Sequence, residues 1–304
     1  VKNLKQVLSE DFVKVSIEIS GDAPSQAPPI EAQQQAHPAI LENVKHVIAI
    51  ASGKGGVGKS TVAANLACAM AIQGKKVGLL DLDIYGPSLP IVLGLNEQPE
   101  MTQDKKLIPL EKFGMKVMSF GFISGNETPV IWRGPLVSRM TEQFFRDVQW
   151  GELDVMILDL PPGTGDIQLT LTQKLRMSGA VIVTTPQDIA LADVRKGADM
   201  FRKVNTPVLG VIENMSGLVI EGAVDGGISS ITINGENIEV DSSGKFRFKM
   251  DLFKTGGGKK ESERLGVPLL GKIPISTEIM SATDAGVPLT QKDPDSPLGQ
   301  IYLN

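Results

Sequence analysis

The chain has 304 residues, room for two domains or one large one, and its 41% apolar and 21% charged residues give the balance of a soluble globular protein. Thirty basic residues against 35 acidic ones leave a net charge of −5, which argues against a chain built to coat nucleic acid or an anionic membrane. One cysteine and two histidines exclude an intrachain disulfide framework and any metal or cluster site needing two thiolates from one chain.

Residues 1–20 read as a short helix with Leu4, Val7 and Leu8 on one side, then a strand in which Val13, Val15, Ile17 and Ile19 alternate with Lys14, Ser16 and Glu18. Twenty residues are too few for a core. Residues 21–43 carry Pro24, Pro28, Pro29, Pro38 and three successive glutamines with almost no apolar periodicity, which reads as a disordered linker. The N-terminal residues lead into Glu10 and Asp11 rather than an apolar signal core, and no run approaches the ~18 apolar residues of a membrane span. The expectation is a soluble, cytoplasmic protein.

From residue 44 onward, short apolar runs alternate with helical patterns. Strands are expected at Val47–Ala51, Val77–Leu80, Val117–Phe120, Val155–Leu158, Ala180–Thr184, Val208–Ile212 and Leu269–Ile273, with helices over 60–73, 135–148, 166–178, 189–204 and 258–265. The pattern implies an α/β fold, a mostly parallel sheet with helices on both faces. Between Ser216 and Thr255 the sequence turns all-β. Ile231 and Ile233 alternate, Asn234-Gly235 signals a type I′ hairpin, and Ile238, Val240, Phe246, Phe248 and Met250 continue the period of two. A three-stranded antiparallel β meander inserted at about 217–254 is the expectation.

Directly after the first strand stands Gly53-Lys54-Gly55-Gly56-Val57-Gly58-Lys59-Ser60-Thr61, a phosphate-binding loop in its strand–loop–helix context. The glycines let backbone amides close around phosphate oxygens, Lys59 reaches the β and γ phosphates of ATP, and Ser60 is placed to ligate Mg²⁺. Lys54 lies inside the loop and cannot duplicate Lys59; its charge suits the site of a facing subunit. Asp81 and Asp83 follow the second strand, one to hold the Mg²⁺ water shell and the other to position the attacking water. Asp159 ends an apolar strand as a Walker B metal ligand does, and 160–166 follow with the glycines and prolines of a γ-phosphate sensor. Cys68 falls among Leu66, Ala67, Ala69 and Met70 in the helix after the loop, the setting of a buried core thiol. His37 and His46 are isolated and read as structural or surface residues.

Several of these segments together, Ser52–Thr61, Asp81–Ser88, Trp132-Arg133-Gly134-Pro135, 150–154, Asp159–Asp166, Thr185-Pro186-Gln187 and Glu213-Asn214-Met215-Ser216, resemble the Mrp/ApbC family of deviant-Walker P-loop ATPases, relatives of MinD and ParA. The resemblance covers about residues 44–290 apart from the β insertion. It implies a P-loop NTPase domain over 44–304 that forms a nucleotide-sandwich homodimer, with Lys54 reaching the partner's phosphates, Asp83 positioning water, Asp159 as the Walker B acid and Asn214 contacting adenine. It also implies that residues 1–20 are the remnant of a MIP18-like domain, that the role lies in iron–sulfur cluster assembly, and that the partners are assembly or recipient proteins. Mrp-type carriers place a Cys-x-x-Cys after the Asn-Met-Ser segment to share a [4Fe-4S] cluster between two subunits. Here Gly217-Leu218-Val219-Ile220-Glu221 follows instead, which speaks against that cluster. Two other readings remain open: an ATP-gated adaptor working through the β insertion, and a MinD- or ParA-like positioning ATPase. The Asp293-Pro294-Asp295-Ser296-Pro297 run opposes the amphipathic tail a membrane-bound version of the latter would need.

Overall fold

The computed structural model describes residues 41–304 apart from 125–133, 164, 166–167, 170–171, 173–174 and 254. The readings made for residues 1–40, for Trp132-Arg133 and for Thr164 and Asp166 fall outside the described residues.

The strands β1 (Val44–Ala51), β2 (Val77–Asp81), β4 (Met115–Ser119), β5 (Leu153–Asp159), β6 (Gly179–Thr184), β7 (Val208–Ala223) and β11 (Leu269–Ile275) form the parallel body of a nine-stranded sheet. Its order is β10-β7-β6-β1-β5-β2-β4-β3, and β11 also pairs with β7, in parallel. The antiparallel members are β3 (Leu110–Lys112), on β4, and β10 (Lys245–Met250), on β7. All residues of β2 and β6 are buried, as a sheet covered on both faces requires.

Among the described residues the helices include α1 (Lys59–Ile72), α2 (Leu89–Val92), α3 (Phe120–Ser124), α4 (Gly134–Arg146), α5 (Asp188–Lys203), α6 (Gly257–Leu265), α7 (Thr277–Asp284), α8 (Leu289–Lys292) and α9 (Pro297–Leu303). Helix α1 is rich in alanine, a strong helix former that permits close approach to the sheet, and Val62, Ala63, Ala64, Ala67 and Cys68 have no solvent exposure. Asn65, also buried, donates to the Thr61 carbonyl and accepts from the amide and hydroxyl of Thr290, so α1 is tied to α8. The Asp293–Ser296 segment does interrupt the helices, but Ser296 then caps α9 and Pro297 occupies its first turn, where a missing N–H costs nothing. Leu298 and Tyr302 of α9 are buried. No helix among the described residues is long and apolar enough to cross a membrane.

The insertion is antiparallel, but its strands are shared out differently from a free-standing meander. Strands β8 (Ser230–Ile233) and β9 (Glu236–Glu239) form a two-stranded hairpin of their own, with Asn234 and Gly235 at φ 51° and 84°, the two positive angles of a type I′ turn. The third run, β10, pairs with β7, from Met250 beside Leu218 to Lys245 beside Ala223. Strand β7 accordingly runs well past Ile212, where the apolar run in the sequence stops. Alternation along a strand identifies a face and not a neighbour, so this pairing left no local mark.

Candidate functional site

The register brings the chemistry together at the carboxyl ends of the central strands. Asp159 lies beside Ile50 of β1 on one side and Asp81 of β2 on the other. The loop 52–58 leaves β1 at that edge and enters α1. Gly56 and Gly58 take φ of 77° and 81°, conformations that a side chain disfavours. A β-carbon on Gly58 would collide with the Asn214 amide, and one on Gly53 with the backbone of Asp193 in α5. Those glycines let the loop nest between β7 and α5.

Lys59 is buried and donates to Asp159 Oδ1 at 2.6 Å, with Ser60 Oγ at 3.4 Å. The other oxygen of Asp159, Oδ2, is buried without a hydrogen-bond partner. A buried carboxylate oxygen in that condition is uncomfortable, and it marks the point where a hard cation fits. Ser60 is half-buried, its hydroxyl near the same Lys59 ammonium.

Asp81 has no solvent exposure, and both its oxygens are engaged: Oδ1 accepts from the Asp83 amide at 2.9 Å, and Oδ2 from Ser119 Oγ at 3.0 Å and the Leu89 amide at 3.3 Å. Burial first, and then the neighbouring charge of Asp159, push its carboxyl up to about 7. Asp83 stands further out, half-buried, and accepts from the Gly86 amide at 3.3 Å. Its carboxyl is also raised, by burial against the pull of Lys59.

Lys54 is half-buried and donates to Gln187 Oε1, at the N-cap of α5, at 3.1 Å. Asn214 donates its side-chain amide to the Val57 carbonyl at 2.8 Å, which sets it against the loop at Val57 and Gly58. Gly55 and Gly56 are exposed, Val57 is buried and Thr61 is half-buried. Cys68 is fully buried in α1 and its thiol is pushed up to about 12 by burial; His46 is exposed. Ser119 and Gln187 hydrogen-bond to this constellation, Glu213 precedes Asn214 in β7, and none of the three had a role assigned from sequence. Ser119 is a neighbour of Asp81 only through the β2–β4 register, whereas Gln187 and Glu213 do stand within motif segments.

A glycine-rich strand-to-helix loop, its lysine facing a strand-end carboxylate and an α/β sheet ordered around both define a P-loop NTPase. Among solved structures, the nucleotide-binding protein of Archaeoglobus fulgidus in complex with ADP is 35% identical, covers 84% of this chain and 92% of its own, and superposes with a TM-score of 0.66. The septum site-determining protein MinD of Pyrococcus horikoshii, complexed with Mg-ADP, shares the fold at 22% identity and a TM-score of 0.59, over 85% of this chain and 93% of its own.

The model of the NUBPL iron-transfer P-loop NTPases matches residues 43–226 and 228–304, and the chain belongs to that family. An iron–sulfur cluster carrier protein of Pseudomonas fragi is 47% identical over 264 residues, 86% of this chain and 84% of its own. The iron–sulfur cluster transfer protein NUBPL of Mus musculus is 43% identical over 266 residues, 87% of this chain and 76% of its own. The resemblance to Mrp/ApbC and MinD/ParA-type ATPases drawn from the motifs is borne out.

Proposed function

We propose that the protein is a Mg²⁺-dependent ATPase that works as a homodimer in the cytoplasm, in the service of iron–sulfur assembly or recipient proteins. The observation that carries this reading is the buried Lys59–Asp159 pair with one carboxylate oxygen left open. Asp159 Oδ2 and Ser60 Oγ would hold Mg²⁺, which when bound supplies positive charge to the β and γ phosphates. Lys59 exchanges Asp159 for phosphate oxygens, and the amides of 53–58 and the start of α1 add donors. Asp83 orients the attacking water. Asp81 accepts the Asp83 amide and so fixes the backbone that carries Asp83, and its carboxylate would help to hold the water shell of a bound Mg²⁺. Asn214 faces the base. Lys54 leaves Gln187 to complete the partner's site.

Phosphate release, together with sedimentation velocity in a slowly hydrolysed ATP analogue, tests the scheme. Lys54→Ala is expected to bind ATP but to stay monomeric and lose turnover by about a thousandfold or more, the range of trans-acting cations in phosphoryl transfer. A variant that dimerises and turns over like the parent refutes the trans role.

The residues present do not fit a bridging [4Fe-4S] cluster. The chain's one cysteine, Cys68, is buried in α1, and 218–221, where the family's thiolates would follow Ser216, carry no cysteine and are engaged as strand with β10. The proposed role is therefore nucleotide-gated handling of partner proteins, without a cluster on this chain's own thiolates. The continuity of β7 from Asn214 into the β10 pairing favours the adaptor form of this reading, in which the inserted arm meets the partner.

A further inference from the structure

Glu213 has a carboxylate with no solvent exposure and no part in handling phosphate or metal. Its Oε1 accepts from the Ser216 hydroxyl at 2.7 Å and its Oε2 from the Gly258 amide at 2.6 Å. Gly258 is the second residue of α6, a nine-residue helix whose N-cap, Gly256, has no side chain to cap with. Free amides at a helix start favour negative charge, and Glu213 supplies it from a neighbouring strand. A β-carbon on Gly258 would lie 2.8 Å from that of Glu213, so the glycine admits the carboxylate.

The Ser216 bond has a second effect. It closes residues 213–216 around Met215, whose φ is 55°, next to Gly217 at 83°. A left-handed conformation at a residue other than glycine is disfavoured and persists where its surroundings impose it. Asn214 sits inside this irregular stretch of β7, aimed at Val57 and filling the space that a side chain on Gly58 would need. Were Met215 to relax to ordinary extended backbone, the side chains next to it would be re-aimed.

We propose that Glu213 is a positioning residue for recognition of the nucleotide's base: by joining the irregular 213–217 stretch of β7 to the start of α6, it holds Asn214 against the phosphate loop. The inference rests on the reading of Asn214 as the base contact and adds the device that sets its aim.

The test is calorimetric binding of Mg-ATP, Mg-GTP and Mg-tripolyphosphate to the chain and to Asn214→Ala, Glu213→Ala, Glu213→Gln and Glu213→Ala/Asn214→Ala. Glu213→Ala is expected to lower the ATP-over-GTP preference by about tenfold, the scale of one well-placed hydrogen bond, and to leave tripolyphosphate affinity unchanged. Glu213→Gln keeps the preference, because its amide oxygen still accepts from Gly258 and its NH₂ can donate to Ser216. Asn214→Ala loses the preference to the same extent, and the double variant loses no more. If the parent has no preference, or Asn214→Ala retains it, the base reading fails and the proposal with it. If Asn214→Ala loses the preference while Glu213→Ala keeps it, only the role of Glu213 is overturned. Equal losses of ATP and tripolyphosphate affinity in Glu213→Ala overturn it too, as a general collapse of the site. Should Glu213→Ala not fold, Ser216→Ala removes one of the two bonds and is expected to lower the preference by a smaller factor; an unchanged preference there overturns the proposal.

Discussion

Lys59 and Asp159 hold each other at 2.6 Å across a hundred residues of chain. Removing one member of a buried ion pair strands the charge of the other, at a typical cost of ~3–5 kcal/mol. Lys59→Ala is therefore expected to lose ATP affinity by at least about tenfold and to melt earlier than the parent without nucleotide. Lys59→Ala/Asp159→Asn should regain much of the stability and none of the affinity, which calorimetry and thermal unfolding can separate. Cys68 makes a different prediction. Its thiol ionises near 12 when folded, against 9.0 ordinarily, so the folded state holds its proton more tightly. The resulting stabilisation is complete below about pH 9 and is lost as the pH climbs from there toward about 12. At about pH 8 the native thiol should resist iodoacetamide and react only on unfolding; rapid native labelling would contradict its burial. The phosphate loop was legible because its function resides in consecutive backbone positions, where glycine spacing is itself the signal. The partners of Asp81 were not, since Ser119 reaches it only through the pairing of β2 with β4.

Among the elements, α1, β5 and β6 could be read nearly to their ends, because buried runs and alanine-rich turns carry their own period. Strand β7 could not. Its second half is held by β10, whose alternating Phe246, Phe248 and Met250 predicted a strand without saying which strand it joins. The pairing makes the arm separable from the site: β6 joins β7 over Val208–Glu213, β11 reaches Leu218, and β10 takes over from Leu218 to Ala223. Replacing 219–249 by a short turn is therefore expected to leave ATP turnover within about twofold of the parent, since changes away from the named contacts have small effects. Proteins that co-purify through the arm should be lost. Turnover abolished along with the arm would show that β7 needs β10 to keep Asn214 in place.

At the scale of the whole molecule, a two-fold dimer brings two cysteines, each buried in an α1 helix, where a shared [4Fe-4S] cluster needs four ligands. Anaerobic treatment with iron and sulfide is expected to leave no cluster absorbance after desalting, while ATP hydrolysis persists. Recovery of about four irons per dimer, unaffected by Cys68→Ser, would restore the carrier reading with other ligands. The strand order has a further consequence, for the chain as it is made. Strand β1, which launches the phosphate loop, lies between β5 and β6, and its register partners begin at Leu153 and Gly179. While residues 44–72 leave the ribosome, neither neighbour of β1 has been synthesised, and at roughly 5–20 residues per second they follow several seconds later. Throughout that interval both edges of β1 lack their native partners, so the strand that launches the phosphate loop stays unpaired while much of the chain is still to be made and is the segment most in need of a chaperone.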